Sequence, residues 1–349
     1  MTRKLQKSRM NTLNFLHIYI YKYLCSELIN TTAMNISKRA QSMPQSPIRK
    51  LAKYAEAAHR NGIHIYSLNI GQPDIQTPTC ATDAIANFHK DILEYTPSQG
   101  VISLRAKMVG YYAEYGIDIS PDEIIITSGG SEAIMFAYMA CLNPGDEIII
   151  TEPSYANYMA FAVSCGAVMK PVKTNIEDGF KLLSVEEFEK QITDKTRAIL
   201  ICNPNNPTGY LYSKQEMMQI RDLVKKYDLY LFSDEVYREF IYTKRPYISA
   251  LLNQIPGVFA PTPMGAFYVM VHLPVDDTDK FCQWCLTDFQ YEGQTVIMAP
   301  GSGFYTNPED GRQQVRMAYI LNKEDLAKAV IVLRKALEAY NAIEKEYPD

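Results

Sequence analysis

The chain has 349 residues, 47% of them hydrophobic, and is long enough to bury a substantial core in one large and one smaller domain. A net charge of −4, with basic and acidic residues mixed along the predicted helices, argues against nucleic acid as a partner. Seven cysteines without the spacing of a disulfide framework indicate reduced thiols and a cytoplasmic protein. Cys282 and Cys285 form a CxxC inside a predicted helix, where we expect them to pack as small apolar side chains instead of forming a redox pair.

The first 33 residues differ from the rest of the chain. Four basic residues precede an apolar, tyrosine-rich run at residues 13–25, as in a signal peptide. Polar residues interrupt this run, no small-residue cleavage site follows cleanly, and the run is too short and too polar to cross a membrane. We therefore interpret residues 1–33 as a disordered extension or as a leader translated ahead of a true start at Met34, and we expect no membrane partner.

Helical and strand-like segments alternate from residue 46 onward, which predicts an α/β fold. An amphipathic helix at residues 46–60 leads to a strand at 63–70, which ends in the turn Gly71-Gln-Pro-Asp74. A glycine in such a turn lets a ligand approach the backbone closely. A loop that contains Tyr95 then precedes a second predicted helix.

A predicted phosphate-binding turn follows. The β-branched run at residues 124–127 predicts a buried strand, and Ser-Gly-Gly-Ser-Glu-Ala at 128–133 opens a helix. Backbone N–H groups at the start of a helix suit a phosphate, so Gly130 and Ser131 are the candidate contacts. Glycines at such a turn also occur for conformational reasons alone. The turn is not a GxGxxG motif, which disfavours a nicotinamide dehydrogenase.

The segment at residues 198–237 carries the most specific motifs. Two apolar runs flank an amphipathic helix; one run ends in Asn-Pro-Asn-Asn-Pro-Thr-Gly at 203–209 and the other in Ser-Asp-Glu-Val-Tyr at 233–237. Open parallel α/β sheets place their ligands at the carboxyl ends of strands. Asp234 stands at such an end, where a carboxylate is costly unless it is paired.

These two motifs, in this order and spacing, resemble those of the class I/II aminotransferases, the fold-type I enzymes that depend on pyridoxal phosphate (PLP), and in detail those of bacterial aspartate and aromatic aminotransferases. The resemblance implies a three-layer α/β/α large domain with a mixed, mostly parallel sheet and a small α+β domain. It assigns residues 34–70 to an N-terminal arm of the small domain, 71–252 to a truncated PLP-binding domain and 253–349 to the small C-terminal domain.

The resemblance also assigns the contacts of the cofactor. Gly130 and Ser131 would hold its phosphate, and Tyr155 would stack on its pyridine ring. Asp234 would pair with the pyridinium nitrogen, which makes the ring an electron sink, and Tyr237 would hydrogen-bond the phenolic oxygen.

Four further residues concern the substrate and the partner subunit. Asn206 would bond the same phenolic oxygen and stand near the substrate carboxylate, and Gly71 would line the substrate pocket. Arg316 lies in an apolar strand and would bind the substrate α-carboxylate with its planar fork; a structural ion pair is the alternative. Tyr95 would reach the cofactor phosphate of a partner subunit, so the resemblance implies a homodimer.

The chain departs from the family pattern after Tyr237. The family continues with a strand that ends in Ser-x-Ser-Lys, whose lysine forms the Schiff base, then with a Gly-x-Arg-x-Gly strand and a long bridging helix. Here no lysine lies between Pro246 and Asp279, and Lys244 sits in a polar turn too soon after Tyr237 to replace it. Two strand–helix units of about 30 residues each are expected to be missing. The sheet should then re-pair across the gap or lose stability.

Two functional hypotheses result. The first is a PLP-dependent aminotransferase that acts on an amino acid, aspartate-like or aromatic, and a 2-oxo acid. It would bind PLP weakly and be severely impaired, because the absent lysine is both the covalent anchor and the base. The alternative is an inactive chain: a remnant, a mis-assembled gene, or a binding or interaction protein of the same fold.

Overall fold

A computed structural model describes residues 36–72, 76–240 and 245–346. The extension predicted at residues 1–33 lies outside the described residues, as do Asp74 and Lys244. The chain divides into two compact units, Met1–Ser42 and Met43–Asp349. In the described part of the first unit, helix α1 (Lys38–Gln41) begins after Ser37, whose hydroxyl accepts a hydrogen bond from the Ala40 N–H at 3.1 Å.

The second unit alternates helices and strands. Its helices in the described residues are α2 (Ala52–Arg60), α3 (Thr79–Ala86), α4 (Ile102–Glu114), α5 (Gly130–Cys141), α6 (Asn157–Cys165), α7 (Val185–Glu189), α8 (Lys214–Lys226), α9 (Arg245–Leu252), α10 (Thr278–Thr287) and α11 (Lys323–Glu346). Its strands there are β1 (His64–Ser67), β2 (Glu147–Glu152), β3 (Val168–Lys173), β4 (Thr196–Cys202), β5 (Tyr230–Asp234), β6 (Tyr268–His272), β7 (Gln294–Ile297), β8 (Ala299–Pro300) and β9 (Gln314–Ala318).

A parallel four-stranded sheet with the order β3-β2-β4-β5 forms the middle of three layers. Its apolar runs are buried on both faces because successive side chains alternate between them. Ile148 and Ile150 of β2 face α5 and α6, together with Tyr138 and Tyr158. Ile149 faces α7 and α8 on the opposite side. The α/β/α fold class predicted from the sequence is thus confirmed.

A second core surrounds the C-terminal strands. Strands β6, β9 and β8 form an antiparallel sheet, and β1 pairs with β7 in parallel. Side chains of α9, α10 and α11 cover these strands in one apolar cluster. Helix α9 packs here through Ile248 and Leu252, although it precedes the predicted domain boundary at residue 252. The division into domains stays a prediction.

The strand predicted at residues 124–127 does not form. Of the two expected outcomes at the gap, the described residues show no re-pairing of the sheet, and a loss of stability stays a prediction. An extended segment becomes a strand only beside another strand. The Ile126 N–H instead donates to the Gln99 carbonyl at 2.9 Å, and Ile125 is 61% exposed. Strand β5 is therefore an edge strand, and the four strands described in this sheet are all parallel, not mixed.

Helix α4 contacts the loop after β5. The hydroxyls of Tyr111 and Tyr115 both donate to Glu239 Oε1, at 2.5 and 2.7 Å, and the Arg238 guanidinium lies 5.1 Å from the centre of the Tyr115 ring. Side-chain contacts thus link the N-terminal half of the unit to this loop without strand pairing.

Cys282 and Cys285 lie on α10 with no exposed surface, and neither is in a disulfide. Burial raises the pKa of both thiols, which disfavours the reactive thiolate. Their predicted packing as apolar side chains is confirmed. Among the residues the structure describes, no helix is long and apolar enough to span a bilayer.

Two buried tyrosines give a test of the central sheet. The hydroxyl of Tyr138 is buried and has no hydrogen-bond partner among the described residues, whereas the Tyr212 hydroxyl lies 3.1 Å from Thr151 Oγ1. We expect Tyr138→Phe to raise the free energy of unfolding by about 1 kcal/mol, because it removes an unpaired polar group. The matched Tyr212→Phe should lower it by about 1 kcal/mol. Urea denaturation measures both free energies of unfolding. An equal loss in the two variants would contradict the assignment of an unpaired hydroxyl to Tyr138 and a paired one to Tyr212.

Candidate active site

Most of the predicted site residues converge at the carboxyl ends of β4 and β5. Cys202, the last residue of β4, pairs in register with Asp234, the last residue of β5. Because the strands are parallel, the loops that follow them leave the sheet at the same edge. Asn206 lies on the first of these loops and Tyr237 on the second.

The loop after β4 is fixed by its own side chains. Asn205 Oδ1 accepts hydrogen bonds from the backbone N–H and the hydroxyl of Thr208, at 3.1 and 2.8 Å. Gly209 has a φ of +71°, and a Cβ there would come within 2.7 Å of the Tyr268 carbonyl oxygen, so glycine is required. These contacts hold the buried Asn206 amide in one position.

The Asp234 carboxylate is held by two donors. Its Oδ2 accepts from the Tyr158 hydroxyl at 2.6 Å, and its Oδ1 accepts from the Val236 N–H at 3.2 Å. The half-buried carboxylate at the end of the apolar strand is therefore hydrogen-bonded by two protein donors, and its predicted pairing with a pyridinium nitrogen stays a prediction.

The predicted ring and phosphate contacts lie beside this carboxylate. Burial raises the pKa of Tyr155, and a hydrogen bond with the Ser131 side chain opposes this shift. Ser131 is in the first turn of α5. Gly130 lies against the loop after β5, since a Cβ there would be 3.3 Å from Val236 Cγ1. The start of α5, with its free N–H groups and positive dipole end, is thus brought next to Tyr155.

Arg316 belongs to the same cluster and is 1% exposed. Its Nη1 donates to Asn206 Oδ1 at 3.0 Å and its Nη2 to the Asn69 carbonyl at 2.6 Å, so both partners are neutral. The guanidinium lies 4.2 Å from the ring centre of Tyr268 and 5.2 Å from that of Phe304. Burial lowers the pKa of Arg316. A buried cation with neutral partners favours the binding of an anion, and a planar fork suits a carboxylate.

Tyr237 contacts the residues around Arg316. Its hydroxyl lies 3.4 Å from the Tyr268 hydroxyl and 3.5 Å from Asn206 Nδ2. Burial raises the pKa of Tyr237, so the phenol stays neutral and can donate. Gly71 packs against the same group: a Cβ at this position would come within 2.2 Å of both the Tyr268 hydroxyl and the Phe267 ring.

Two predicted features are not part of this cluster. Tyr95 is fully exposed, and its predicted role, which requires a partner subunit, stays a prediction. In the part of the chain that the structure describes, no lysine is a hydrogen-bond or ion-pair partner of Asn206, Asp234, Tyr237 or Arg316.

Three side chains of the cluster were not predicted from the sequence. The position of Tyr268 could in principle be inferred from strand pairing. Met270 pairs with Arg316 across β6 and β9, so Tyr268 is a diagonal neighbour of Arg316 on the same face. Tyr158 and Phe304 carry no such local signal, because their positions depend on how a helix and a loop pack.

The sequence matches the family described as aminotransferase class I and II over residues 63–259. This range is more than half of the chain, and the chain belongs to that family. The nicotinamide dehydrogenase alternative is thereby set aside. The family depends on PLP.

Similar proteins are aspartate aminotransferases. That of Thermotoga maritima is 35% identical over 212 residues, which are 60% of this chain and 55% of that protein. That of Pyrococcus horikoshii is 27% identical over 394 aligned positions, which take in 87% of this chain and 97% of that protein. A solved structure of the Thermotoga maritima aspartate aminotransferase superimposes with a TM-score of 0.78 at 25% identity, over 87% of this chain and 100% of that one. The chain spans about half the length of several curated relatives, between 53% and 55%.

The close approach at Gly71 gives a test of the site geometry. Gly71→Ala should displace Tyr268 and Phe267 and lower the free energy of unfolding by about 1–3 kcal/mol, because neither ring has room for the new methyl group. Gly110→Ala is the matched control: no atom lies within 4 Å of its Cβ position, and alanine favours its helix α4. Urea denaturation and the near-ultraviolet circular dichroism of the tyrosines check both variants, and an unperturbed Gly71→Ala protein would contradict the geometry.

Proposed function

We propose that this site binds PLP without a covalent anchor and accepts the carboxylate of an amino acid or a 2-oxo acid on Arg316. The observation that carries the proposal is the convergence of the Asp234 carboxylate, Tyr155, the start of α5 and the Arg316 guanidinium in one cluster. A carboxylate, an aromatic face and a helix start are the groups that a charged pyridine ring with a phosphate requires.

The residues fit the cofactor in type and placement. Asp234 would pair with the ring nitrogen, Tyr155 would stack on the ring, and Gly130 and Ser131 would contact the phosphate. Asn206 and Tyr237, which lie 3.5 Å apart, would share the phenolic oxygen. When bound, PLP supplies an electron sink for the amino group of the substrate.

Transamination also requires proton transfer, and for this the chain lacks the lysine that the family uses. Tyr237 can hold a proton at its hydroxyl, since burial keeps its phenol neutral. The family moves the proton at the substrate α-carbon with its lysine. No lysine lies between Pro246 and Asp279 of this sequence. We therefore propose that PLP binding is weakened and that transamination is lost or slow.

The alignment with the Pyrococcus horikoshii protein supports the loss of a segment. It runs over 394 positions and takes in 87% of a 349-residue chain, which is about 304 residues. About 90 positions of that relative therefore have no counterpart here. The two strand–helix units proposed to be missing, together with a bridging helix, are of this size.

The substrate class and the assembly are proposed from the relatives. An aspartate-like or aromatic amino acid is proposed because similar proteins carry the names of aspartate and aromatic-amino-acid aminotransferases. A homodimer is proposed in which Tyr95 reaches the phosphate of the other subunit. The alternative, favoured by the lysine gap, is a catalytically inactive binding or interaction protein of the same fold.

Borohydride reduction after incubation with PLP, followed by peptide mass mapping, tests the absence of an anchor. We expect no lysine to be labelled stoichiometrically, whereas a family member that retains the Ser-x-Ser-Lys strand should be labelled at that one lysine. Equilibrium dialysis of the same samples should show PLP bound by the unmodified chain. Asp234→Ala should weaken this binding by about tenfold, as expected for a lost charged hydrogen bond, and exposed Asp118→Ala should not. Stoichiometric labelling would overturn the non-covalent proposal, and no bound PLP would overturn the cofactor assignment.

Arg316 allows a separate test of the substrate side. Arg316→Lys keeps the positive charge and removes the planar fork, so the binding of 2-oxoglutarate should weaken by about tenfold or more. Arg197→Lys, at a half-exposed arginine on the other end of β4, should leave it unchanged. Isothermal titration calorimetry measures both, and equal affinities in the two variants would exclude Arg316 as the carboxylate contact.

A further inference from the structure

We infer that Tyr158 is a positioning residue that fixes both the Asp234 carboxylate and the Tyr155 ring for the pyridine ring of the cofactor. The inference rests on the proposed function of the site. It assigns a role to a side chain behind the site that would not itself touch the cofactor.

The first observation is the short hydrogen bond to the carboxylate. The Tyr158 hydroxyl donates to Asp234 Oδ2 at 2.6 Å, within the range of charge-assisted O–H···O bonds. The Val236 N–H donates to the other oxygen at 3.2 Å. Since each oxygen has one donor, the carboxylate plane is set from both sides, and each oxygen keeps a lone pair for a further donor.

The second observation is the contact with Tyr155. The two rings meet edge to face, with their centres 5.3 Å apart and their planes at 87°. The Tyr158 N–H also donates to the Tyr155 carbonyl at 3.0 Å. Tyr158 therefore fixes both groups that would contact the pyridine ring: Asp234 at the edge of that ring and Tyr155 at its face.

Tyr158 itself has little freedom to move. It is 1% exposed and packs in the apolar cluster that covers β2 and β4, together with Cys202, the register partner of Asp234. Burial raises the pKa of Tyr158 well above its usual value, so the group remains a neutral donor at every pH at which the protein is handled. A rigid donor behind a carboxylate lowers the cost of holding that carboxylate in its binding geometry.

A double-mutant cycle on PLP affinity tests the inference in the full chain. Tyr158→Phe keeps the ring and its packing but removes the hydroxyl, and we expect it to raise the PLP dissociation constant about tenfold. In an Asp234→Ala background the same change should have no further effect, because the group that Tyr158 positions is gone. The control Tyr212→Phe, at another buried tyrosine whose hydroxyl lies 3.1 Å from Thr151 Oγ1, should leave PLP affinity unchanged.

A second measurement does not depend on Tyr158→Phe, because its main signal comes from the unmodified chain. In the PLP-free protein, the hydroxyl proton of a short O–H···O bond should give a downfield proton magnetic resonance signal, and Asp234→Asn should shift it. The inference is overturned if that signal is missing, if Tyr158→Phe binds PLP as tightly as the unmodified chain, or if the effects of Tyr158→Phe and Asp234→Ala simply add. If the unmodified chain binds no PLP while the signal is present, the proposed function fails and the cofactor role of Tyr158 fails with it, but the hydrogen bond stands.

Discussion

The burial of the Arg316 charge is the constraint on which the site depends. Its guanidinium lies between the rings of Tyr268 and Phe304 and donates to Asn206 and to the carbonyl of Asn69. These partners come from four separate parts of the chain, so the cation ties together the loop after β4, the segment after β1 and two elements of the C-terminal core. An uncompensated buried charge is costly, and each neutral donor-acceptor contact offsets only part of that cost. The buried cation therefore still favours an anionic partner.

The fold was predictable wherever the pattern of apolar residues was local. Strands β2 and β4 read as continuous β-branched or apolar runs because both of their faces are covered by helices. The run at residues 124–127 has the same composition and is not a strand. Strand pairing depends on a neighbour elsewhere in the sequence, so composition alone cannot reveal whether that neighbour exists. The lysine gap pointed to missing strands, but it could not show that β5 would be left as an edge.

The site was predictable where motif and strand end coincide. Asn206, Asp234 and Tyr237 follow apolar strands directly, and the parallel sheet brings their loops to one edge. Gly71, Gly130, Ser131 and Tyr155 required the family resemblance, since a turn glycine or one of 25 tyrosines is weakly informative alone. The positions of Tyr158 and Phe304 in the site could not be predicted from the sequence, for a different reason. Their distances to Asp234 and Arg316 are set by the packing of a helix and a loop against the sheet, which a single sequence does not encode locally.

The contacts within the site do not involve a strand beside the free edge of β5 in the described residues. Asp234 is held by Tyr158 from α6 and by its own loop, and Asn206 is held by the turn after β4 and by Arg316. In the described residues β5 pairs only with β4, and these contacts come from elements packed on the sheet or from the C-terminal core, not from a strand beside the free edge of β5. Asp234, Asn206 and Arg316 are therefore positioned by contacts that the described residues supply among themselves.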